Sequence, residues 1–352
     1  MKKTELHGIG VMSGTSLDGL DLAWCSFSEE EGRWHYEIWD AVTIPYPEAW
    51  QRTLREAMHL SAFDYALLDV RLGAYIGDCL NRWLQGRERP DYIASHGHTV
   101  FHRPDLHLTT QIGSGAAIAA RTGIQTICDF RSTDVALGGQ GAPLVPIGDE
   151  LLFGDYDACL NLGGFSNISF RQEGKRISFD VSPCNMALNL MAQGAGLEYD
   201  RDGLLARSGH LIPNLLEELN RIDYYQQKPP KSLGKEWFEE HLLPLINQHS
   251  ENATADLLRT LTEHIAMMVA QAIPESATTV LTTGGGALNC FLVERLQHLS
   301  HAHIEVPDMR IVNYKEALIF AFLGMLRLYG KDNCLRSVTG AERDNCGGAI
   351  YQ

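Results

Sequence analysis

The stretch from Ser13 to Asp21 places glycines, hydroxyls and carboxylates within one short turn. Glycines allow close backbone approach to a ligand, hydroxyls donate hydrogen bonds and carboxylates bind cations. Apolar runs on either side, Gly8–Met12 and Leu20–Phe27, predict a strand–turn–strand unit with this turn at its tip. Such a tip could hold the phosphates of a nucleotide together with Mg²⁺, and an ordinary polar hairpin is the alternative.

Asp180 is a candidate general base. The run Arg176–Asn185 predicts a strand that ends near this aspartate and a helix that Pro183 could start. In α/β proteins, residues beyond the carboxyl ends of strands line ligand sites, and a carboxylate there can remove a proton from water. The alternative is that Asp180 only caps the helix.

Two further glycine-rich turns could approach a ligand. Gly163-Gly164 lies between the predicted strands Ala158–Leu162 and Asn167–Phe170, and so repeats the pattern of the first turn. The triplet Gly284–Gly286 follows a predicted strand and precedes a predicted helix, whose N-terminus would offer free N–H groups. A flexible strand–helix connection is the alternative for the triplet.

Histidines and an arginine form two further clusters. His96 and His98 would share one face of an extended chain, near His102, so metal ligation and substrate contact are both open. Arg131 could bind an anionic substrate or form an ion pair with Asp129. A serine or cysteine nucleophile is not indicated, because the chain has no G-x-S-x-G segment and no local Cys–His signature.

The remaining sequence predicts the elements that must position these groups. Strands alternate with helices, which indicates an α/β protein. The predicted helices cover about 47–60, 64–84, 115–121, 185–193, 255–272 and 316–329. The breaker-rich stretch Gly138–Pro146 is a candidate crossing between domains.

Length, charge and cysteine content exclude several classes of protein. The 352 residues predict two domains, and the net charge of −15 argues against nucleic acid or an anionic membrane surface as the main partner. Eight cysteines without a C-x-x-C pair are typical of reduced thiols. The N-terminus has no apolar signal region, and no apolar run is long enough to span a membrane, so we expect a cytoplasmic protein.

Short motifs follow one another along the whole chain. They are Met12–Asp21, Ser95–His102, Asp129–Asp134, Gly138–Pro146, Asn161–Asn167, Phe179–Asn185, Pro229–Gly234, Gly284–Asn289 and Lys315–Ala321. In this order they resemble the anhydro-N-acetylmuramic acid kinase family, which belongs to the actin/Hsp70/sugar-kinase superfold.

The resemblance implies a fold and an activity. The fold would be two actin-like (ribonuclease H-like) α/β domains with an interdomain cleft. The first domain would comprise 1–134 with about 335–352, and the second 135–334. The family uses ATP and Mg²⁺ to open the 1,6-anhydro ring of anhydro-N-acetylmuramic acid with water and to phosphorylate O6, in the recycling of cell-wall sugars.

The resemblance also implies roles for particular residues. Asp180 lies at the position of the catalytic aspartate, and Asp18 is the expected metal ligand. The expected phosphate and adenosine contacts are Gly14, Thr15, Ser16, Leu17, Asp18, Gly19, Leu20, Asp21, Gly163, Gly164, Gly284, Gly285 and Gly286. The expected sugar contacts are His96, His98, Thr99, Arg131, Asn185 and Glu316.

The chain departs from the family pattern on the sugar side. His98 replaces the usual glutamine, Cys184 and Asn189 replace the usual glycine and aspartate, and Leu233 replaces a threonine. Another 1,6-anhydrosugar such as levoglucosan is therefore an alternative substrate. A nucleotide-dependent sensor without sugar chemistry and a glycoside hydrolase without ATP are alternative functions. The expected partners are the sugar and ATP, with a homodimer as the expected assembly.

Overall fold

The computed structural model describes residues 5–14 and 17–352. The strands, in chain order, are β1 Glu5–Ser13, β2 Gly19–Glu30, β3 Arg33–Pro45, β4 Tyr92–Ser95, β5 His98–Arg103, β6 Leu108–Ile112, β7 Thr126–Cys128, β8 Ala158–Leu162, β9 Phe165–Gln172, β10 Lys175–Pro183, β11 Thr279–Thr283, β12 His303–Glu305 and β13 Ala349–Tyr351.

The α-helices lie mainly where hydrophobic periodicity predicts them. They are α1 Glu48–Arg55, α2 Ala62–Trp83, α3 Gly115–Thr122, α4 Ser132–Ala136, α5 Pro146–Leu151, α6 Asn185–Gln193, α7 Leu204–Ser208, α8 Pro213–Asn220, α9 Lys235–Trp237, α10 Leu243–Gln248, α11 Thr254–Ala272, α12 Cys290–Leu299, α13 Met309–Tyr329 and α14 Arg336–Thr339. Single 3-10 turns lie at Ala57–His59, Pro104–Leu106, Arg201–Gly203, Asp223–Gln226 and Gly285–Leu288, and a π-helical turn covers Phe238–Leu242.

The chain divides into two compact units. Unit 1 comprises Met1–Phe153 and Tyr314–Gln352, and unit 2 comprises Gly154–Asn313. The expected boundaries at 134/135 and near 335 therefore shift, because 135–153 and 314–334 belong to unit 1. The physical reason is that α5 packs on α13: a buried ion pair joins Asp149 to Lys315 at 2.7 Å.

Both units contain the same arrangement of strands. The unit 1 sheet has the order β13-β7-β4-β1-β2-β3, and the unit 2 sheet has the order β10-β9-β8-β11-β12. In each, an antiparallel three-stranded meander is extended by two parallel strands beside its first strand. The unit 1 sheet has one more strand, β13, which is antiparallel to β7. This is the ribonuclease H-like order, so the α/β fold predicted for both domains is confirmed. The predicted interdomain cleft stays a prediction.

Each unit has its own apolar core. In unit 1, α2 starts at Ser61, whose hydroxyl accepts a hydrogen bond from the Asp64 amide at 3.1 Å. The buried face of α2 then repeats every four residues, through Leu68, Leu72, Ile76 and Leu80. In unit 2, the long helix α11 packs the same kind of face on the sheet, and its buried apolar side chains include Leu258, Leu261, Ile265 and Val269.

Candidate active site

The first glycine turn of unit 1 connects β1 to β2, as predicted. Thr15 and Ser16 lie outside the described residues. Gly14 accepts a backbone hydrogen bond from Leu17 at 3.3 Å, and Leu17 has a left-handed backbone with φ 62°. Gly19 and Leu20 are already part of β2, paired with β3. The described part of the turn is therefore tightly folded rather than an open loop.

Two carboxylates mark the β2 side of this turn. Asp18 is exposed, and Asp21 accepts a hydrogen bond from the Thr43 hydroxyl at 2.5 Å. Burial raises the pKa of Asp21, the Thr43 hydrogen bond opposes that rise, and the charge of Asp18 adds to it. Because the two carboxylates repel each other electrostatically, a cation placed beside them would be stabilised.

A hydrogen-bond chain runs from the end of β1 to the start of β5. The Tyr46 hydroxyl donates to Ser13 Oγ at 2.9 Å, and Ser13 Oγ lies 3.3 Å from His98 Nδ1. Since Ser13 accepts from Tyr46, its own proton can point to His98 Nδ1 and leave the imidazole proton on Nε2. Burial lowers the pKa of His98, which favours this neutral form. Thr99, the next residue, accepts a hydrogen bond from Gln111 Nε2 at 3.4 Å.

His96 and Arg131 form one unit of hydrogen bonds. His96 Nδ1 donates to the Gly97 carbonyl at 2.8 Å, and His96 Nε2 accepts from Arg131 Nη2 at 2.8 Å and Nε at 3.0 Å. Burial, followed by the charge of Arg131, holds the pKa of His96 well below its usual range. Both ring nitrogens of this neutral imidazole are thus engaged within unit 1, where they fix the orientation of Arg131.

Glu316, on α13, completes the charged cluster of unit 1. Surrounding protein raises the pKa of Glu316 although the residue keeps access to solvent; attraction to Arg131 opposes this rise and repulsion from Asp21 adds to it. In the same way, burial lowers the pKa of Arg131 and Glu316 opposes that change. The sequence-predicted residues Asp21, Arg131 and Glu316 are therefore electrostatic neighbours.

In unit 2, Asp180 lies within the edge strand β10 and not beyond its end. The register between β9 and β10 shifts after Asp180, so a bulge lies at this point of the strand. Asp180 does not cap the next helix: its Oδ2 accepts from the Leu233 amide at 2.8 Å. Among the described residues, its Oδ1 has no hydrogen-bond partner. Burial raises the pKa of Asp180, and the Leu233 amide opposes the rise.

The loop that holds Asp180 is a part of the site to which sequence reasoning assigned no role. The Asp180 amide donates to the Lys231 carbonyl at 3.2 Å, and the Tyr224 hydroxyl donates to the Asp180 carbonyl at 2.7 Å. Lys231 Nζ donates to the Tyr224 carbonyl at 3.1 Å, and burial lowers the pKa of Lys231. The motif Pro229–Gly234 was the sequence signal that could have indicated this loop. It lies about fifty residues after Asp180, so the sequence does not show that Leu233 and Asp180 are in contact.

The second glycine turn and the glycine triplet come together in unit 2. The carbonyls of Gly163 and Gly164 accept from the first amides of α6 and the residue before it. Asn185, the first residue of α6, donates through Nδ2 to the Leu162 carbonyl at 3.0 Å. A Cβ on Gly285 or Gly286 would lie 3.5 Å from Asn185 Nδ2 or 3.1 Å from its Oδ1, respectively. Asn185, predicted to contact the sugar, thus lies beside the triplet.

The triplet is not the N-terminus of the following helix. Gly284 has φ 84°, and a Cβ there would lie 2.4 Å from Asn161 Oδ1, so only glycine fits without strain. A 3-10 turn follows, and α12 begins only at Cys290, where Asn289 Oδ1 accepts from the Leu292 amide at 3.0 Å. The expectation of helix amides at the glycines is wrong, because Asn289 separates the two features.

A metal ion could find only part of its ligands on the protein. No group of three or more His, Cys, Asp or Glu side chains in residues 5–14 and 17–352 is placed to hold one. Asp18 and Asp21 carry carboxylate oxygens, the ligand type that Mg²⁺ prefers, and water and phosphate would have to supply the other ligands. The carboxylate pair therefore fits a Mg²⁺ bound mainly through a nucleotide.

Comparisons with known proteins give the family of this chain. The sequence profile described as anhydro-N-acetylmuramic acid kinase matches residues 7–352. The enzyme of that name from Sulfurovum sp. (strain NBC37-1) is 36% identical over 360 residues, covering 97% of this chain and 98% of the relative. The enzyme of the same name from Vibrio vulnificus (strain CMCP6) is 35% identical over 372 residues, covering 100% of this chain and 99% of the relative.

Among solved structures, a ROK family glucokinase from Streptomyces griseus, in complex with glucose and AMPPNP, is similar at a TM-score of 0.42. It is 12% identical and is matched over 90% of this chain and 98% of its own.

The family profile and the sequence relatives define a kinase, which confirms the predicted class of enzyme. The chain belongs to the anhydro-N-acetylmuramic acid kinase family. In the described residues, no helix is both long and apolar enough to cross a membrane.

Proposed function

We propose that this enzyme opens the 1,6-anhydro ring of anhydro-N-acetylmuramic acid and transfers the γ-phosphoryl group of ATP to O6. The oxygen of a water molecule attacks C1 as Asp180 takes one of its protons. The C1–O6 bond breaks, O6 attacks the γ-phosphorus and ADP leaves. The products are the ring-opened sugar 6-phosphate and ADP, and the proton passes from Asp180 to solvent.

The position of Asp180 carries this proposal. A base must be oriented and must keep one oxygen for the water, and Asp180 is held through Oδ2 by Leu233 while Oδ1 has no partner in the described residues. Its raised pKa makes the carboxylate a better proton acceptor than an ordinary aspartate.

The glycine turns suit the nucleotide. We propose that Gly14 and Leu17–Asp21 bind phosphate in unit 1, together with Thr15 and Ser16, and that Gly163-Gly164 does so in unit 2. Gly284–Gly286 would lie against the adenosine. Mg²⁺, with Asp18 and Asp21 as ligands, would neutralise phosphate charge when bound, so that positioning and electrostatics supply most of the catalysis.

Arg131 is the proposed anchor for the sugar. Three of its N–H groups bind His96 and the Gly141 carbonyl, the latter at 2.6 Å, which leaves one N–H on each Nη for a ligand. Anhydro-N-acetylmuramic acid carries a lactyl carboxylate, an acceptor that a guanidinium binds well. Glu316, His98 and Thr99 are proposed to contact the sugar hydroxyls, and Asn185 to contact it from unit 2.

An ADP-release assay over a panel of sugars tests the proposal. The panel comprises anhydro-N-acetylmuramic acid, anhydro-N-acetylglucosamine, levoglucosan and reducing sugars. We expect fastest turnover with the first, since it alone in the panel of anhydrosugars carries a carboxylate. Faster turnover of levoglucosan would assign the enzyme to another anhydrosugar, background rates throughout would indicate a sensor, and ring opening without ATP would indicate a hydrolase.

Assembly and location complete the proposal. We propose a homodimer in the cytoplasm, where ATP is available and where the reduced state of the eight free cysteines is maintained. Sedimentation equilibrium of the purified enzyme tests the assembly, because a mass near 39.1 kDa would exclude the dimer.

A further inference from the structure

Asp134, on α4, is a fully buried carboxylate that accepts hydrogen bonds on both oxygens. Its exposed fraction is 0%. Oδ1 accepts from Cys334 Sγ at 3.0 Å, Thr339 Oγ1 at 2.9 Å and Asn345 Nδ2 at 2.8 Å. Oδ2 accepts from the Gly141 amide at 2.8 Å. A buried carboxylate needs hydrogen-bond donors in place of the water that it loses, and the four donors to Asp134 identify the segments that this side chain holds together.

Asp134 Oδ2 is connected to Arg131 through hydrogen bonds of Gly141. Gly141 links the two side chains through its backbone: its N–H donates to Asp134 Oδ2 at 2.8 Å, and its carbonyl, on the other side of its Cα, accepts from Arg131 Nη1 at 2.6 Å. Arg131 in turn donates to His96 Nε2. Gly141 has φ 66°, a conformation that glycine adopts freely, and this conformation turns both of its polar groups to these partners.

We propose that Asp134 is a positioning residue: it fixes the Gly141 carbonyl and thereby sets the direction of the Arg131 guanidinium toward the substrate. This inference rests on the proposed function, because it takes Arg131 as the sugar anchor. The chemistry recognised is an anionic or oxygen-rich group on the sugar, bound by the remaining N–H groups of Arg131.

The two oxygens of Asp134 can be tested separately. Oδ1 holds the C-terminal segment, which is also tied to the same loop by the Gln140 amide, a donor to the Thr339 carbonyl at 2.8 Å. In Asp134→Asn, the amide oxygen can keep the Oδ1 donors, and the amide nitrogen then faces the Gly141 N–H as donor against donor. The substitution therefore breaks the link to Gly141 while the loop stays attached.

The experiment compares Michaelis constants in the full-length enzyme. We expect Asp134→Asn to raise the KM for the sugar about tenfold, the equivalent of one lost hydrogen bond, with the KM for ATP unchanged. Thr339→Val is the matched control: it removes an Oδ1 donor, lowers the melting temperature and leaves the KM for the sugar unchanged. In an Arg131→Lys background, Asp134→Asn should raise the KM for the sugar by less than about a further twofold, because both substitutions act through the side chain at position 131.

Each alternative outcome overturns the inference. A folded Asp134→Asn enzyme with the wild-type KM for the sugar, or full additivity with Arg131→Lys, would show that Asp134 is only structural. If Asp134→Asn does not fold, Gly141→Ala disturbs the backbone conformation that joins the Asp134 and Arg131 contacts, because Gly141 has φ 66° and a Cβ there would lie 2.6 Å from Val135 Cγ2. A wild-type KM for the sugar in that variant contradicts the proposal. Failure of the proposed function is distinguishable, because the wild-type enzyme itself would then not turn over the anhydrosugar.

Discussion

At the residue scale, candidate chemistry can be assigned from the sequence, but the contacts of the candidate residues cannot. Asp180 is predicted to be a base because a carboxylate near the end of a strand suits that role, and this stays a prediction. Its hydrogen bond from the Leu233 amide depends on a loop about fifty residues further along the chain. His96 was expected to face a ligand, and instead both its ring nitrogens are used to orient Arg131. Tertiary hydrogen bonds of this kind leave no local pattern.

His98 provides a prediction at this scale. The hydrogen bonds from Tyr46 to Ser13 and from Ser13 to His98 Nδ1 leave the Nε2–H of His98 as a donor. Glutamine, the residue usual in the family, also offers an N–H. We expect His98→Gln to change the KM for the sugar by less than about threefold and His98→Phe to raise it about tenfold. His102→Phe, on the same strand, is the control. Equal values for His98→Gln and His98→Phe would contradict a donor role.

At the element scale, most strands and helices follow the hydrophobic pattern. The helix expected at 185–193 coincides with α6, and the two glycine hairpins form as predicted. The triplet at Gly284 is the exception, because the sequence pattern did not distinguish a 3-10 turn from the first turn of α12. The Asn289 side chain caps α12, so that the helix starts at Cys290 and the glycines before it form a separate 3-10 turn. This start depends on a single side chain.

Gly284→Ala tests the triplet. The substitution combines a positive φ with a Cβ 2.4 Å from Asn161 Oδ1 and 2.9 Å from the Leu162 carbonyl oxygen, so the segment after β11 and the end of β8 must shift. We expect nucleotide affinity, measured by calorimetry, to fall at least about tenfold from one to two kcal/mol of strain. Gly174→Ala has a similar φ of 76° but open space, and it should keep wild-type affinity. An equal loss of nucleotide affinity in Gly284→Ala and Gly174→Ala would contradict the assignment of the triplet to the nucleotide site.

Helix α11 carries a stability prediction. Buried His264 donates to Asn220 Oδ1 at 2.7 Å and accepts from the Tyr225 hydroxyl at 3.0 Å, and burial lowers its pKa to about 3. The unfolded chain binds a proton below about pH 6.5 and the folded one does not, so stability is lost as the pH falls from there toward 3.

Urea unfolding at pH 7 and pH 5 measures this contribution. Protonation of His264 in the unfolded chain should lower the unfolding free energy by about 2 kcal/mol between pH 7 and pH 5. The His264→Gln enzyme should therefore lose about 2 kcal/mol less than the wild type over this range. His303→Gln, at an exposed position, should leave the loss unchanged. An identical pH dependence in wild-type and His264→Gln enzymes would contradict the assignment.

At the scale of the whole molecule, two domains of one topology were predictable and their boundaries were not. The breaker-rich segment Gly138–Pro146 suggested a crossing, but it lies in unit 1, where Gly141 is held by Asp134. The buried pair Asp149–Lys315 joins segments far apart in sequence, and no composition shift marks the end of the first segment of unit 1 at Phe153.

The interdomain cleft expected from the family resemblance can be tested in solution. Closure around ligands would exclude competing water from the reaction. We expect X-ray scattering to give a smaller radius of gyration with a non-hydrolysable ATP analogue and the sugar than without them. The analogue alone is the control. Superimposable scattering curves in all three states would contradict closure.

The central claim is that one carboxylate couples ring opening to phosphoryl transfer. The most direct measurement follows ADP and ring-opened sugar 6-phosphate together, in wild-type and Asp180→Asn enzymes, with nucleotide affinity as the control. We predict one ADP per opened ring in the wild type, and loss of both products by at least about 10²-fold in Asp180→Asn with unchanged ATP affinity. Near-wild-type turnover in Asp180→Asn, or ADP release without ring opening in the wild type, would contradict the account.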